Sequence, residues 1–480
     1  MALNDIFERI GVKTRQSSWY EVNNDLLLLT NELKNDQFRF DSGRDVFNAL
    51  NIVLPQIWSQ VEIAYVEDNT NVQPDNSILL QNLTECFRIL RNACAGCQEN
   101  QSLVLVFPEN LNVTRKVLDK LSEIYRLPNI LMSLRCAVQF LGNLCVGNPA
   151  NQVEVYSGFL PILSKCIRTR DVLLCNYCSM LIHTCLIGIE DKTDLTLNSH
   201  LYNIVTPILN MLLEEDLDWG LLLIEDILLI PDFIGNLSIK TTLRERLFIV
   251  EVIIDILKKN DLTKKQPIHI SNLKYLSNEI HQHSVQVLAV GMEDCPEGDI
   301  SWLLVKMIEV LGLATSSLPE VYTDLQTDTQ LLLTAINLLK SVDEIGKTGT
   351  NHFNTVDKMS ELENVDSNHP VYGLKRDLIR LIANMVNKHK DNQDKVREVE
   401  GIQLLLNQTN IDGKNPYITQ WVVLAIHNLC EGNELNKATI SGLQLQGVIN
   451  NTPVLNELGI ETKMEGDRVV IKKSRYDGAS

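Results

Sequence analysis

Long apolar runs are missing from this chain of 480 residues. Its most apolar stretch, Leu221 to Ile230, is interrupted by Glu225 and Asp226. A helix that crosses a bilayer needs about 20 apolar residues, so no membrane insertion is expected. No continuous apolar segment follows Met1-Ala2-Leu3-Asn4-Asp5, and a secretory leader is not expected either. Positive charge is also scarce: 43 Lys and Arg stand against 61 Asp and Glu, a net charge of -18. Binding to phosphate backbones is driven by clustered Lys and Arg that release counterions. Without such a stripe, nucleic acid and anionic membrane are poor partners. The tightest acidic run, Glu214-Glu215-Asp216 with Asp218, reads as a solvated helix end. Also absent are a glycine-rich phosphate loop, a Gly-x-Ser-x-Gly elbow and a His-Glu-x-x-His helix. The expectation is therefore no catalytic residue, no cofactor and no metal.

The eleven cysteines are odd in number, scattered and set in apolar helical patterns. That usage fits reduced thiols in a cytosolic or nuclear compartment. Cys94-Ala-Gly-Cys97 and Cys175-Asn-Tyr-Cys178 form two CxxC pairs, but they lie too far apart to read as one zinc site. His281-Gln-His283 lacks a third ligand at suitable spacing. Core and helix-end roles are the expectation for all of these.

What the sequence does contain is an internal repeat. Asn92, Asn143, Asn384 and Asn428 are each followed eight residues later by a second asparagine: Asn100, Asn151, Asn392 and Asn436. Before and after the first asparagine come four apolar residues at i, i+3, i+4 and i+7. They are Cys86, Ile89, Leu90 and Ala93; Ala137, Phe140, Leu141 and Leu144; Leu378, Leu381, Ile382 and Met385; and Val422, Ala425, Ile426 and Leu429. This is one stripe of an α-helix. Gly96, Gly147 and Gly432 stand where a left-handed helix end suits glycine, while the third copy has Lys388 there. The second asparagine is expected as the N-cap of the next helix, with Asn151 and Glu154 resembling a capping box. The first two copies are 51 residues apart and the last two 44, close to the roughly 40–47 residues of HEAT and armadillo units. His183 and Asn337 look like worn copies, and no register is assigned between 190 and 330.

The expected fold is all-α: an armadillo/HEAT-like, right-handed superhelical solenoid with a short C-terminal extended or hairpin tail. Residues 1–340 are read as N-terminal repeats, 341–370 as a flexible polar loop, 371–457 as C-terminal repeats and 458–480 as the tail. About 100° per residue puts the first asparagine on the flank of its apolar stripe. Asn92, Asn143, Asn384 and Asn428, with Trp421, are thus the candidate protein-binding residues. An amide offers both donor and acceptor, suited to the backbone of an extended peptide. The competing reading has each asparagine satisfy a neighbouring turn.

Asp391 to Leu406, the run Asn410 to Ile418, Gln420-Trp421 and Ala425-Ile426-His427-Asn428-Leu429 together resemble the C-terminal domain of the ataxin-10 family. The family pattern runs Asn-Pro-Phe, a few residues, Trp, then Ala-Ile-Arg-Asn-Leu; here Tyr417 replaces Phe and His427 replaces Arg. Leu90-Arg91-Asn92-Ala93-Cys94 and Gly459 to Lys473 also look like this family. The resemblance implies a non-enzymatic protein-binding scaffold or adaptor linked to cytokinesis, to neurite outgrowth and neuronal survival, and to signalling. Implied partners are the G-protein β subunit and the O-linked N-acetylglucosamine transferase, with homo-oligomers also in view. Implied locations are the cytoplasm, perinuclear and with the midbody and ciliary basal body. Two alternatives stand beside it: an armadillo-type nuclear import cargo adaptor, and an enzyme with a site assembled from distant residues. Import adaptors of the importin-α kind place Trp four residues before the asparagine, where this chain has Arg88, Gln139, Arg380 and Leu424.

Overall fold

The computed structural model describes residues 3–67, 77–127, 129–259, 268–291, 300–317, 321–443, 460–465 and 468–473. It divides into two units, Met1–Ile230 and Pro231–Ser480, rather than near residue 340.

In the first unit α1 is Leu3–Arg15, α2 Trp19–Glu32, α3 Asp36–Val61, α4 Ser77–Cys94, α5 Gln98–Leu103 and α6 Glu109–Leu121. They are followed by α7 Ile130–Cys145, α8 Pro149–Ile167, α9 Val172–Ile187, α10 Ser199–Leu212 and α11 Asp218–Ile227. Helices α2, α4, α7, α9 and α11 pack each on the next as one layer. Helices α3, α6, α8 and α10 do the same behind them.

In the second unit α12 is Phe233–Ser238, α13 Leu243–Lys259, α14 Ile270–Gln282, α15 Ser284–Val287, α16 Ile300–Ser317, α17 Thr323–Gln326 and α18 Thr329–Ile345. Then come α19 Met359–Leu362, α20 Leu374–Met385, α21 Lys390–Glu398, α22 Gly401–Leu406, α23 Ile418–Cys430 and α24 Glu434–Gly442. Here α13, α16, α20 and α23 form the first layer, and α14, α18 and α21 the second. Each unit is thus a two-layered stack in which a helix touches its neighbours in order, the armadillo/HEAT plan. Strands β1 Ile460–Glu465 and β2 Arg468–Lys473 pair antiparallel, the hairpin form of the expected tail.

The apolar stripe of every repeat is the core. All of its template residues except Ile426 are buried. Each first-layer helix of the repeats ends on a residue with positive φ: Gly96 at 65°, Gly147 at 69° and Gly432 at 68°. Lys388 adopts the same conformation, at 54°. The third copy therefore keeps the helix end and accepts the strain a side chain meets there, about 1–2 kcal/mol.

Two sequence readings change. The second asparagine is not the N-cap. The caps are Asn148, His389 and Asn433, whose side chains accept from the backbone N–H of Asn151, Asn392 and Asn436. The helix starts one turn earlier than the spacing implied, so the second asparagine falls in the first turn, and no Asn151–Glu154 box forms. Asn337 lies on α18, a second-layer helix, so it is no worn copy; His183 lies on α9, in the first layer.

Residues 341–370 are held more closely than a flexible loop would be. Ser341 to Ile345 complete α18. Phe353 is buried, and its ring fills the space where a Cβ on Gly291 would stand. Lys414 Nζ donates to the carbonyls of His352 and Asn354, at 2.8 and 3.0 Å. Gly413 N donates to Val356 O at 2.7 Å. The polar composition concealed a segment fastened through its backbone.

Candidate protein-binding ridge

In all four repeats the first asparagine reaches back to the preceding first-layer helix. Nδ2 of Asn92 donates to Thr30 O at 3.3 Å, and that of Asn143 to Arg91 O at 2.9 Å. Nδ2 of Asn384 donates to Gly312 O at 3.2 Å, and that of Asn428 to Ala383 O at 3.0 Å. Arg91 and Ala383 each stand one residue before the asparagine of their own repeat. The same offset puts Asn31 of α2 and Leu313 of α16 at the asparagine position. A backbone carbonyl accepts whatever side chain follows it, which is why α16 carries the register without the motif.

The second asparagine makes a double contact. Nδ2 of Asn100 donates to Ala93 O and Arg39 O, both at 2.9 Å. Nδ2 of Asn151 donates to Leu144 O and Gln101 O, both at 3.1 Å. Asn392 does so to Met385 O and Gln326 O, and Asn436 to Leu429 O and Gln393 O. One acceptor is the last turn of its own first-layer helix; the other belongs to the repeat before.

Glutamine then binds forward. Nε2 of Gln101 donates to Asn143 O and Val146 O, at 2.8 and 3.1 Å. Gln393 does the same to Asn428 O and Glu431 O, at 2.8 and 3.2 Å. Gln326, which lies outside the motif, matches them on Asn384 O and Asn387 O, at 2.8 and 3.2 Å. These contacts satisfy helix-end carbonyls that the backbone leaves unpaired.

The candidate residues therefore share one environment. Asn92, Asn143 and Asn384 are half-buried, and Asn428 is buried. Their amide nitrogens are engaged within the stack. Asn92 Oδ1 accepts from the Arg91 guanidinium, whose Nη1 also donates to Gln139 Oε1 at 2.7 Å. Beside Asn92, Arg88 pairs with Glu85, and Glu85 accepts from Thr30 Oγ1 at 2.9 Å.

Trp421 of α23 is half-exposed, and the Arg380 guanidinium of α20 lies over its ring, 5.7 Å from the centroid. Arg380 bridges to Asp377 at 3.0 Å and donates to Glu309 O at 3.3 Å. Asp377 also accepts both Arg376 nitrogens at 3.0 Å. Gly312 makes room: a Cβ there would stand 2.9 Å from Arg380 Nε. Burial pushes the Arg380 pKa down, against the charge of Asp377. Burial would push Glu309 up, yet Lys258 and Lys306 hold it below the ordinary range. This charged series across α16 and α20 was missed in the sequence, since its members come from helices about 70 residues apart. Asn415 is a fastener: its Oδ1 accepts from Arg376 N at 3.2 Å and its Nδ2 donates to Asp412 Oδ2 at 2.8 Å.

Other candidates stay in structural roles. Cys94, Cys175 and Cys178 are buried, and burial raises each thiol pKa, to about 12 for Cys175. His281 Nδ1 lies 3.0 Å from Thr334 Oγ1. Among the described residues, no group of three or more His, Cys, Asp or Glu is arranged for a metal. Nor is any of their helices long and apolar enough to cross a membrane.

A family model for the spinocerebellar ataxia type 10 protein domain matches residues 374–472, from the first residue of α20 into β2. Ataxin-10 of Homo sapiens is 30% identical over 462 residues, 94% of this chain and 94% of the relative. Ataxin-10 of Xenopus tropicalis is 27% identical over 474 residues, 97% of this chain and 95% of the relative. The ataxin-10 homolog of Dictyostelium discoideum is 46% identical over 89 residues, 18% of this chain and 14% of the relative.

Proposed function

Because the chain belongs to the ataxin-10 family, we propose that it acts as a non-enzymatic scaffold whose first-layer helices bind partner proteins. The observation that carries this reading is Trp421, half-exposed with the buried Arg380 guanidinium over its ring, on a surface held rigid by the asparagine and glutamine contacts. Trp and Arg seated in fixed surroundings are the residues on which protein interfaces concentrate their affinity. The ordered backing lowers the entropy cost of binding, because few side chains must still be immobilised. The asparagines act in this reading as the frame; the amide oxygens of Asn143 and Asn384, which accept nothing from the described residues, are left for a partner's N–H groups.

The partners proposed are those of the family resemblance, the G-protein β subunit and the O-linked N-acetylglucosamine transferase. The processes proposed are cytokinesis, neurite outgrowth and neuronal survival, with action in the perinuclear cytoplasm, midbody and ciliary basal body.

Calorimetric titration of the full chain with each purified partner tests the proposal. Trp421→Ala is expected to weaken binding roughly tenfold, the loss of an average interface anchor, with little change in Tm because the ring is half-exposed. Failure of both partners to bind, or binding that Trp421→Ala leaves unaltered, refutes the assignment of this surface.

A further inference from the structure

The segment between α18 and α20 forms a cleft that protein binding along the first-layer helices does not use. The turn Asp412–Lys414 fastens both ends of the stretch from Val356 to Gly373. Gly413 N donates to Val356 O and Gly373 N to Lys414 O, both at 2.7 Å. Val356 N donates in turn to Asp412 Oδ1 at 3.2 Å. A loop closed at its base keeps its inner residues ordered before anything binds, which lowers the cost of binding. Between the loop and the turn lies a cleft of about 430 Å³, within the range of about 300–1,000 Å³ of small-molecule sites.

Val356, Val365 and Val371 give the cleft apolar walls. The stacked rings of His352 and His369, with planes 19° apart, suit a planar body. The polar groups of the lining differ in whether they are already engaged. Its carboxylates are: Glu361 pairs with Lys358 at 2.8 Å, and Asp366 Oδ1 accepts from Asn368 N at 2.9 Å. Its donors are not. Lys414 Nζ gives two of its three N–H groups to His352 O and Asn354 O, which leaves the third. Among the described residues, no hydrogen bond is made by the Tyr372 hydroxyl, the Asn364 amide or the His352 ring. Burial lowers the Lys414 pKa, with Asp412 opposing and Lys375 adding to the effect. Burial, His352 and Lys414 lower that of His369. Positive charge is crowded and partly dried here, and a bound anion relieves both conditions.

We propose that this cleft binds a small organic carboxylate with a planar apolar body. The carboxylate accepts from Lys414 Nζ, and the body lies against the imidazole stack and the valines. Lys414 is the one lysine or arginine among the described lining residues, and no guanidinium fork is present for a phosphate dianion. A single carboxylate therefore fits the charge. Glu361 and Asp366 are exposed, where water and salt screen them, and they do not cancel the half-buried lysine. Neither Trp421 nor Arg380 lines the cleft, so it is separate from the protein-binding surface proposed above.

Calorimetric titration of the full chain with benzoate, benzamide and inorganic phosphate, joined to hydrogen exchange, tests the site. Benzoate should bind saturably and slow amide exchange over residues 351–373. Benzamide keeps the ring without the charge, and phosphate the charge without the ring; each should bind about tenfold more weakly or worse. Lys414→Met should weaken benzoate binding by about tenfold or more. Because that lysine also fastens the loop, Val365→Trp is the second variant: at a half-buried lining position it should fill the cleft and abolish binding with Tm kept. Trp421→Ala should leave benzoate binding as it was. Absence of saturable benzoate binding, benzamide or phosphate binding as tightly as benzoate, or benzoate binding that survives Val365→Trp overturns the proposal.

Discussion

Asn151 and Asn143 are chemically identical and eight residues apart, yet their losses should differ. Asn151 is buried, and its Nδ2 holds two carbonyls from two repeats. Asn143 is half-buried and holds one. Removing a buried partner leaves carbonyls without water or donor, at about 1–3 kcal/mol, whereas water replaces a half-exposed donor. Asn151→Ala should therefore lower stability by about 2–3 kcal/mol in chemical denaturation and Asn143→Ala by about 1 kcal/mol or less. Equal losses would mean that the second asparagine's double contact adds nothing. The pairing of these asparagines was legible in the sequence, because each repeat spells both. Their acceptors were not: a carbonyl has no sequence signature, so the N-cap assignment took the commonest role of asparagine at a helix start. The true cap is Asn148, His389 or Asn433, three residues earlier.

At the scale of elements, helices with a complete apolar stripe were readable and the segment after α18 was not. Among the described residues of that polar run Phe353 is a buried aromatic anchor far from the next buried hydrophobic residue, Val371, and anchors so spaced leave no period to detect. That segment also contains a titratable contact. The rings of His352 and His369 stack with centroids 4.4 Å apart, and Val371 N donates to His369 Nδ1 at 3.2 Å. Burial, then the neighbouring His352 and Lys414, lower the His369 pKa; Asp366 opposes them. A histidine depressed in the folded state contributes stability that is complete above its unfolded value, about 6.5, and is lost as pH falls through the folded value. Amides of residues 351–373 should therefore exchange faster, relative to the intrinsic rate, at pH 5.5 than at pH 7.5, and His369→Asn should flatten that difference. A pH-independent profile in the parent protein would show that the stack carries no proton linkage.

For the whole molecule, the repeat contacts make stability a local sum. Gln101 joins α5 to α7 through Asn143 O and Val146 O, and Gln393 joins α21 to α23 in the same way. No side chain of either set serves the other, and the two lie in different compact units. In a quasi-one-dimensional stack, weakening one junction loosens the repeats beside it and leaves distant ones as they were. The all-α class and this order of neighbours could be read from four copies of a motif, since the copies fix the helix period and the repeat length. The division at Ile230 could not, because the motif is silent between Asn151 and Asn384 and the carbonyl-borne register of α16 replaces it. Gln101→Ala should speed amide exchange across 98–160 and leave 374–442 at the parent rate. Gln393→Ala should do the reverse, speeding 390–442 alone. If either substitution raised exchange in both segments together, the chain would be unfolding as one cooperative body, and the local account of the repeats would have to be abandoned.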